Sequence, residues 1–183
     1  MDKFRIYLIG AATLLLFPLP AYFILHYVEG WSFSDFFQLH RLSLKNIILG
    51  TNLGMLYAFF AIFLLSTPFL KYEKIKQVQL LQQLNLNSTD IIFLSLCAGI
   101  GEELLFRIGI QFYLGPLLTS LLFVALHGYY SFTNWRINLY GLLITPFILI
   151  LAYSIDTLGL WFCISAHFTY DLVMFVAYTR KRN

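Results

Sequence analysis

The chain has 183 residues, 60% of them hydrophobic, 19% aromatic and only 11% charged. That balance excludes a soluble globular domain, and a net charge of +3 gathered at the ends of apolar runs excludes nucleic acid as a partner. The fold class expected is all-α, a polytopic membrane bundle of about six transmembrane helices with interfacial amphipathic segments, in a single domain over 1–183.

In chain order, Phe4 to Val28 is the first run of spanning length, about 20 apolar residues being sufficient. Lys3 and Arg5 before it resemble the basic start of a signal peptide. The run is too long for that, however, and lacks a small-residue cleavage site, so it is expected to stay as a helix bent at Pro18 and Pro20. Glu29 to Ser43 carries Trp31, Phe33, Phe36 and Phe37 among polar residues and reads as a connector lying along the headgroup region, with His26 and His40 wet at its edges. Leu44 to Leu70 is the second span, with Asn46, Gly50, Asn52 and Gly54 marking a helix-packing face.

Ile75, Val78, Leu81 and Leu84 recur at threefold spacing within Lys71 to Asp90, the pattern of an amphipathic surface helix. Asn87 to Asp90 supplies N-cap residues for a third span, Ile91 to Leu114. Gly115-Pro116 predicts a tight reversal into a shorter run, Leu117 to Tyr130. A fifth span covers Arg136 to Ile155 with a kink at Pro146. After a turn at Asp156-Thr157 comes the sixth, Leu158 to Tyr178, closed by Arg180-Lys181-Arg182. Nine basic residues then fall on the side of the termini against two, Arg41 and Lys45, on the other. The positive-inside rule thus favours both ends in the cytoplasm, and the location expected is a bacterial or archaeal cytoplasmic membrane. Cys97 and Cys163 lack metal or redox spacing and read as packing thiols.

Six ionisable side chains interrupt these apolar runs: Glu102, Glu103, Arg107, His127, His167 and Asp171. A charge at mid-bilayer costs on the order of 2.5–3.5 kcal/mol even on the lenient insertion scale, which is too much for filler. At ~1.5 Å of rise per residue, Glu102, His127 and His167 each lie roughly 14–16 Å inside their runs, near the middle of a ~30 Å core. Glu103 and Arg107 are i and i+4, so Arg107 is expected to keep Glu103 ionised and brace the helix. Glu102, turned about 100° away, has no local cation and is expected in a drier site suited to a base. His167 and Asp171 share a helix face by the same i, i+4 spacing.

These residues form three ordered motifs: E-E-x-x-x-R at Glu102 to Arg107, F-x-x-x-H at Phe123 to His127, and H-x-x-x-D at His167 to Asp171. In this order on membrane helices they resemble the CPBP family of CAAX-prenyl proteases and bacteriocin-processing or abortive-infection proteins, which are glutamic intramembrane endopeptidases. The resemblance covers residues from about 91 to 178. It implies that Glu102 and His167 activate a water for attack on a peptide carbonyl, with no cofactor, and that His127 and Asp171 stabilise the oxyanion while Glu103 and Arg107 support the site. Many relatives have Asn in place of Asp171. Because an ionised Asp cannot donate, Asp171 must be protonated for that role, or else it orients His167 or shares a proton with it. The implied partners are membrane lipid and a peptide or protein substrate: a prenylated tail, a bacteriocin-like precursor or a hydrophobic C-terminal tail.

Spacing gives no triad for Ser95, Ser165 or Cys97, so serine or cysteine chemistry is not expected. The chemical rival is a zinc protease with Glu102, His127, His167 and Asp171 as ligands, although H-E-x-x-H is missing. A non-enzymatic immunity or chaperone-like membrane protein is a rival of another class. A transporter is disfavoured by the lack of an internal repeat.

Overall fold

The computed structural model describes residues 3–67, 83 and 86–179. Of the surface helix expected over Lys71 to Asp90, residues 71–82, 84 and 85 fall outside the described residues, as does Arg180-Lys181-Arg182, and Ser88 to Asp90 belong to the next helix. Among those described, the chain is helical and contains no strand: α1 Lys3–Leu16, α2 Pro18–Glu29, α3 Phe33–Phe36, α4 Leu44–Leu65, α5 Ser88–Glu103, a π-helical segment Leu104–Ile110, α6 Gln111–Leu126, α7 Trp135–Leu158 and α8 Leu160–Thr179. Among the described residues, five stretches are long and apolar enough to cross a membrane: Lys3–Glu29, Leu44–Leu65, Ser88–Leu126, Trp135–Leu158 and Leu160–Thr179.

The break between α1 and α2 falls at Phe17, one residue before Pro18, where a ring nitrogen without a proton cannot continue the ladder. α5 begins on a reciprocal cap: the Asn87 side chain accepts from the Asp90 amide and the Asp90 carboxylate accepts from the Asn87 amide. The same carboxylate takes Lys3 Nζ at 2.7 Å and the Tyr7 hydroxyl at 2.5 Å, tying the start of α1 to the start of α5. From there α1 and α5 run side by side. Gly101 makes that close approach possible, because a side chain there would meet the Thr13 carbonyl, and Gly99 brings the opposite side of α5 against the α8 backbone.

Gly115 holds φ 74°, ψ 171°, outside helical geometry, and Pro116 follows it. A straight helix would separate residues 102 and 127 by roughly 37 Å. Their side chains lie 3.3 Å apart, so the chain folds back at Gly115, as Gly-Pro predicted. The returning limb from Pro116 to Leu126 rises only about 16 Å, half the hydrocarbon thickness. The fourth of the six expected spans is therefore a half-span, ending where His127 caps it. α7 continues through Pro146 as one helix. The turn after it comes not at Asp156-Thr157 but at Gly159, which supplies the positive φ (81°) that the turn needs.

The aromatic connector does more than lie along the surface. Phe36 is buried in the core, the Gln38 side chain accepts from the free amide of Leu160 at the start of α8, and Arg41 donates to the carbonyls of Ile155 and Asp156 near the end of α7. It thereby satisfies helix-terminal groups that lipid could not. α4 packs parallel to α8 through Gly50, Gly54 and Ala58, and Asn46 donates to Leu158 O. Asn52, expected on this face, is exposed on the opposite one, because it lies off the four-residue repeat that the other three positions follow. A Cβ at Gly54 would run into the carbonyl of Ala166, one residue before His167. Gly54→Val is therefore expected to cost about 1–3 kcal/mol by overpacking. Asn52→Val, tested in parallel by thermal unfolding in bilayers, should leave the midpoint unchanged.

Candidate active site

Three helices bring the motif residues together. α5 carries Glu102 and Glu103 at its C-terminal end, α6 ends at His127, and α8 presents His167 and Asp171 one turn apart. Gly99 and Gly101 hold α5 between α8 and α1, and this fixes which carboxylate faces which neighbour.

Glu103 is the dry one. Its side chain has no exposure, and each oxygen has one donor: Arg107 Nε at 3.0 Å on Oε2 and His167 Nδ1 at 2.8 Å on Oε1. A buried carboxylate needs such compensation, and the fully buried Arg107 provides the countercharge. Glu102 keeps 15% of its side-chain exposure and faces a cavity. The drier environment expected at Glu102 is therefore at Glu103. Helix rotation alone separates the two side chains but does not say which of them meets the packed core. The structure also gives Glu103 a second contact beyond bracing, since its bond to Nδ1 sets the ring of His167. Asp171 lies near the other nitrogen, with Oδ2 3.6 Å from His167 Nε2.

Tautomers follow from these partners. A carbonyl only accepts, so the 2.8 Å contact of His127 Nδ1 with Phe123 O puts a proton on Nδ1. Likewise, the carboxylate of Glu103 takes the proton of His167 Nδ1. Both Nε2 atoms then face Glu102: His127 Nε2 lies 3.3 Å and His167 Nε2 4.0 Å from Oε2, a buried atom that makes no hydrogen bond among the described residues.

Phe123 sets both rings. It stacks on His127 with centroids 4.2 Å apart, meets His167 edge-on at 5.9 Å and Phe106 at 4.8 Å, and receives the Arg107 guanidinium over its face at 5.6 Å. Tyr129, which belongs to no motif, stacks on the other side of His127 at 5.8 Å. Glu102, His127, His167 and Asp171 form the polar end of one cavity of about 230 Å³, whose remaining wall is mostly apolar and aromatic, with Tyr129, Phe147, Tyr170 and Phe175. Nothing in the sequence pattern marks these aromatics, because they reach the site from loops and from helix faces that are apolar all round.

Of the alternative nucleophiles, Ser165 donates to Phe162 O, and the two cysteines are free and buried, with Cys163 Sγ directed at Leu151 O. Among the described residues, no group of three or more His, Cys, Asp or Glu side chains has the arrangement of a metal site. Here His167 Nδ1 is already committed to Glu103.

Residues 84–173 match the family model described as type II CAAX prenyl endopeptidase, Rce1-like. The matched region holds all three motifs. Searches of curated proteins and of solved structures gave no match.

Proposed function

Because the chain belongs to the Rce1-like family of type II CAAX prenyl endopeptidases and is a multi-pass membrane protein, we propose that it hydrolyses a peptide bond of a membrane-associated tail with a water activated by Glu102 and His167. The observation that carries this reading is the approach of His167 Nε2 to Glu102 Oε2, 4.0 Å apart, two atoms that both act as acceptors when the ring carries a single proton on Nδ1. Two acceptors each about 2.8 Å from one water oxygen, at the water's own bond angle, lie about 4.4 Å apart. Such a water has both protons engaged and its lone pairs directed into the cavity.

In the reaction the water oxygen attacks the substrate carbonyl carbon and its proton passes to Glu102, the general base. The carbonyl oxygen becomes an oxyanion in a site largely shielded from water, where a donor in place beforehand is worth several kcal/mol. His127 supplies that donor from Nε2. With Nδ1 held by Phe123 O, it does so as the imidazolium, which the adjacent Glu102 carboxylate favours. Collapse of the tetrahedral intermediate breaks the C–N bond, and the proton on Glu102 goes to the leaving amine. Asp171, when protonated, is a second donor beside the same space. Glu103 and Arg107 hold His167.

The cavity has an apolar and aromatic wall, which suits a tail carrying a lipid or other apolar side chains. The excess of basic residues beside the termini favours a chain with both ends in the cytoplasm. The test is purified protein in liposomes incubated with a farnesylated peptide ending in a C-A-A-X box and with its unprenylated twin, with the products identified by mass spectrometry. Release of a tripeptide from the farnesylated peptide is expected. Absence of cleavage of this peptide, of precursor-like peptides and of hydrophobic C-terminal tails would overturn the reading.

A further inference from the structure

A chain of contacts continues past Arg107, away from the cavity. Arg107 Nη1 donates to Gln111 Oε1 at 3.5 Å, and Gln111 Nε2 donates to Ala152 O of α7 at 2.7 Å. Gln111 is buried, with 8% exposure, and belongs to none of the three motifs. Its amide orientation follows from its partners. The NH2 must face the Ala152 carbonyl, which leaves the oxygen for the guanidinium.

The other guanidinium nitrogen of Arg107, Nη2, is buried and makes no hydrogen bond among the described residues. The Arg107 head group is therefore held by two hydrogen-bond partners, Glu103 on one side and Gln111 on the other, and neither duplicates the other. The segment that joins them is π-helical, and such segments recur where a helix must place side chains off the ordinary register. A guanidinium has donors and no acceptor, so the chain Gln111–Arg107–Glu103–His167 cannot relay protons. What it transmits is position.

We propose that Gln111 is a positioning residue for the site: anchored on α7, it fixes Arg107, and through Arg107 and Glu103 it fixes the tautomer and orientation of His167. The kinetic part of the test rests on the protease reading, whereas the spectroscopic part does not. Gln111→Met removes both contacts at near-constant volume. Gln111→Asn keeps an amide too short to span both partners, and serves if the first variant is unstable. Magic-angle-spinning NMR of ¹⁵N-histidine-labelled protein in liposomes reads the ring directly, and with four histidines in the chain, His167 is assigned by a single replacement.

In the parent a single Nδ1-protonated His167 is expected, and in both variants a shifted signal or a mixture of tautomers. With the farnesylated peptide, kcat should fall on the order of 10–100-fold, as for loss of a partner that orients a reacting group, while KM stays within about threefold. An unchanged His167 signal in both variants overturns the proposal, including the case where activity and unfolding midpoint fall together. If the parent cleaves no peptide while the His167 signal still moves in the variants, the protease reading fails and the positioning role stands.

Discussion

Glu102→Gln is expected to lower kcat on the order of 10²–10⁴-fold while leaving the unfolding midpoint within a few degrees of the parent. The loss follows from its place: Oε2 is the acceptor toward which both imidazole Nε2 atoms converge, and an amide of the same shape cannot take a proton from water. The tolerance follows from the same geometry. Glu102 makes no hydrogen bond with a buried cation, and its carboxylate opens on the cavity instead of being packed between helices. Peptide binding should survive, because the amide still accepts a hydrogen bond. Cleavage within tenfold of the parent would remove Glu102 from the role of base.

Glu103→Gln is expected to do the opposite to stability. The carboxylate has zero exposure and takes one donor on each oxygen, from Arg107 and from His167. An amide keeps one acceptor and turns two donors toward the other partner, so either the guanidinium or the imidazole is left facing N–H groups. Breaking a buried pair on one side costs on the order of 3–5 kcal/mol, chiefly because the remaining charge is uncompensated. Unfolding in bilayers should shift accordingly, and activity should fall with it as His167 loses its anchor. The control is the double variant Glu103→Leu, Arg107→Leu beside Glu103→Leu alone. Removing both partners should recover part of the stability but none of the activity. A Glu103→Gln protein as stable as the parent would contradict the ion-pair account.

Local rules made much of this architecture readable in advance. The i, i+4 spacing of Glu103 with Arg107 and of His167 with Asp171 put each pair on a common face, and the structure has both pairs within ion-pair reach. Gly115-Pro116 announced the reversal that lets Glu102 meet His127, and the N-cap candidates Asn87 to Asp90 announced the start of α5, which Asn87 caps. What stayed hidden depended on partners distant in sequence. Burial of Glu103 rather than Glu102 is decided by Gly99 and Gly101 meeting two different helices. The π-helical segment leaves no signature in an apolar run, and although Arg107 and Gln111 are also i and i+4, the anchoring of Gln111 on the Ala152 carbonyl of α7 depends on tertiary packing. Asn52 was assigned to a packing face because amides often pack in bilayers, but its register excludes it. Tyr129 reaches His127 from a polar turn whose path only the tertiary fold defines.

The claim that a carboxylate and an imidazole activate the water unaided is tested most directly by one paired measurement: the rate of farnesylated-peptide cleavage and the metal content of the same preparation after exhaustive chelation. We predict that cleavage continues at the parental rate with zinc far below one ion per chain. Activity that disappears on chelation and returns in proportion to added zinc would contradict the account and assign Glu102, His127, His167 and Asp171 to a metal instead.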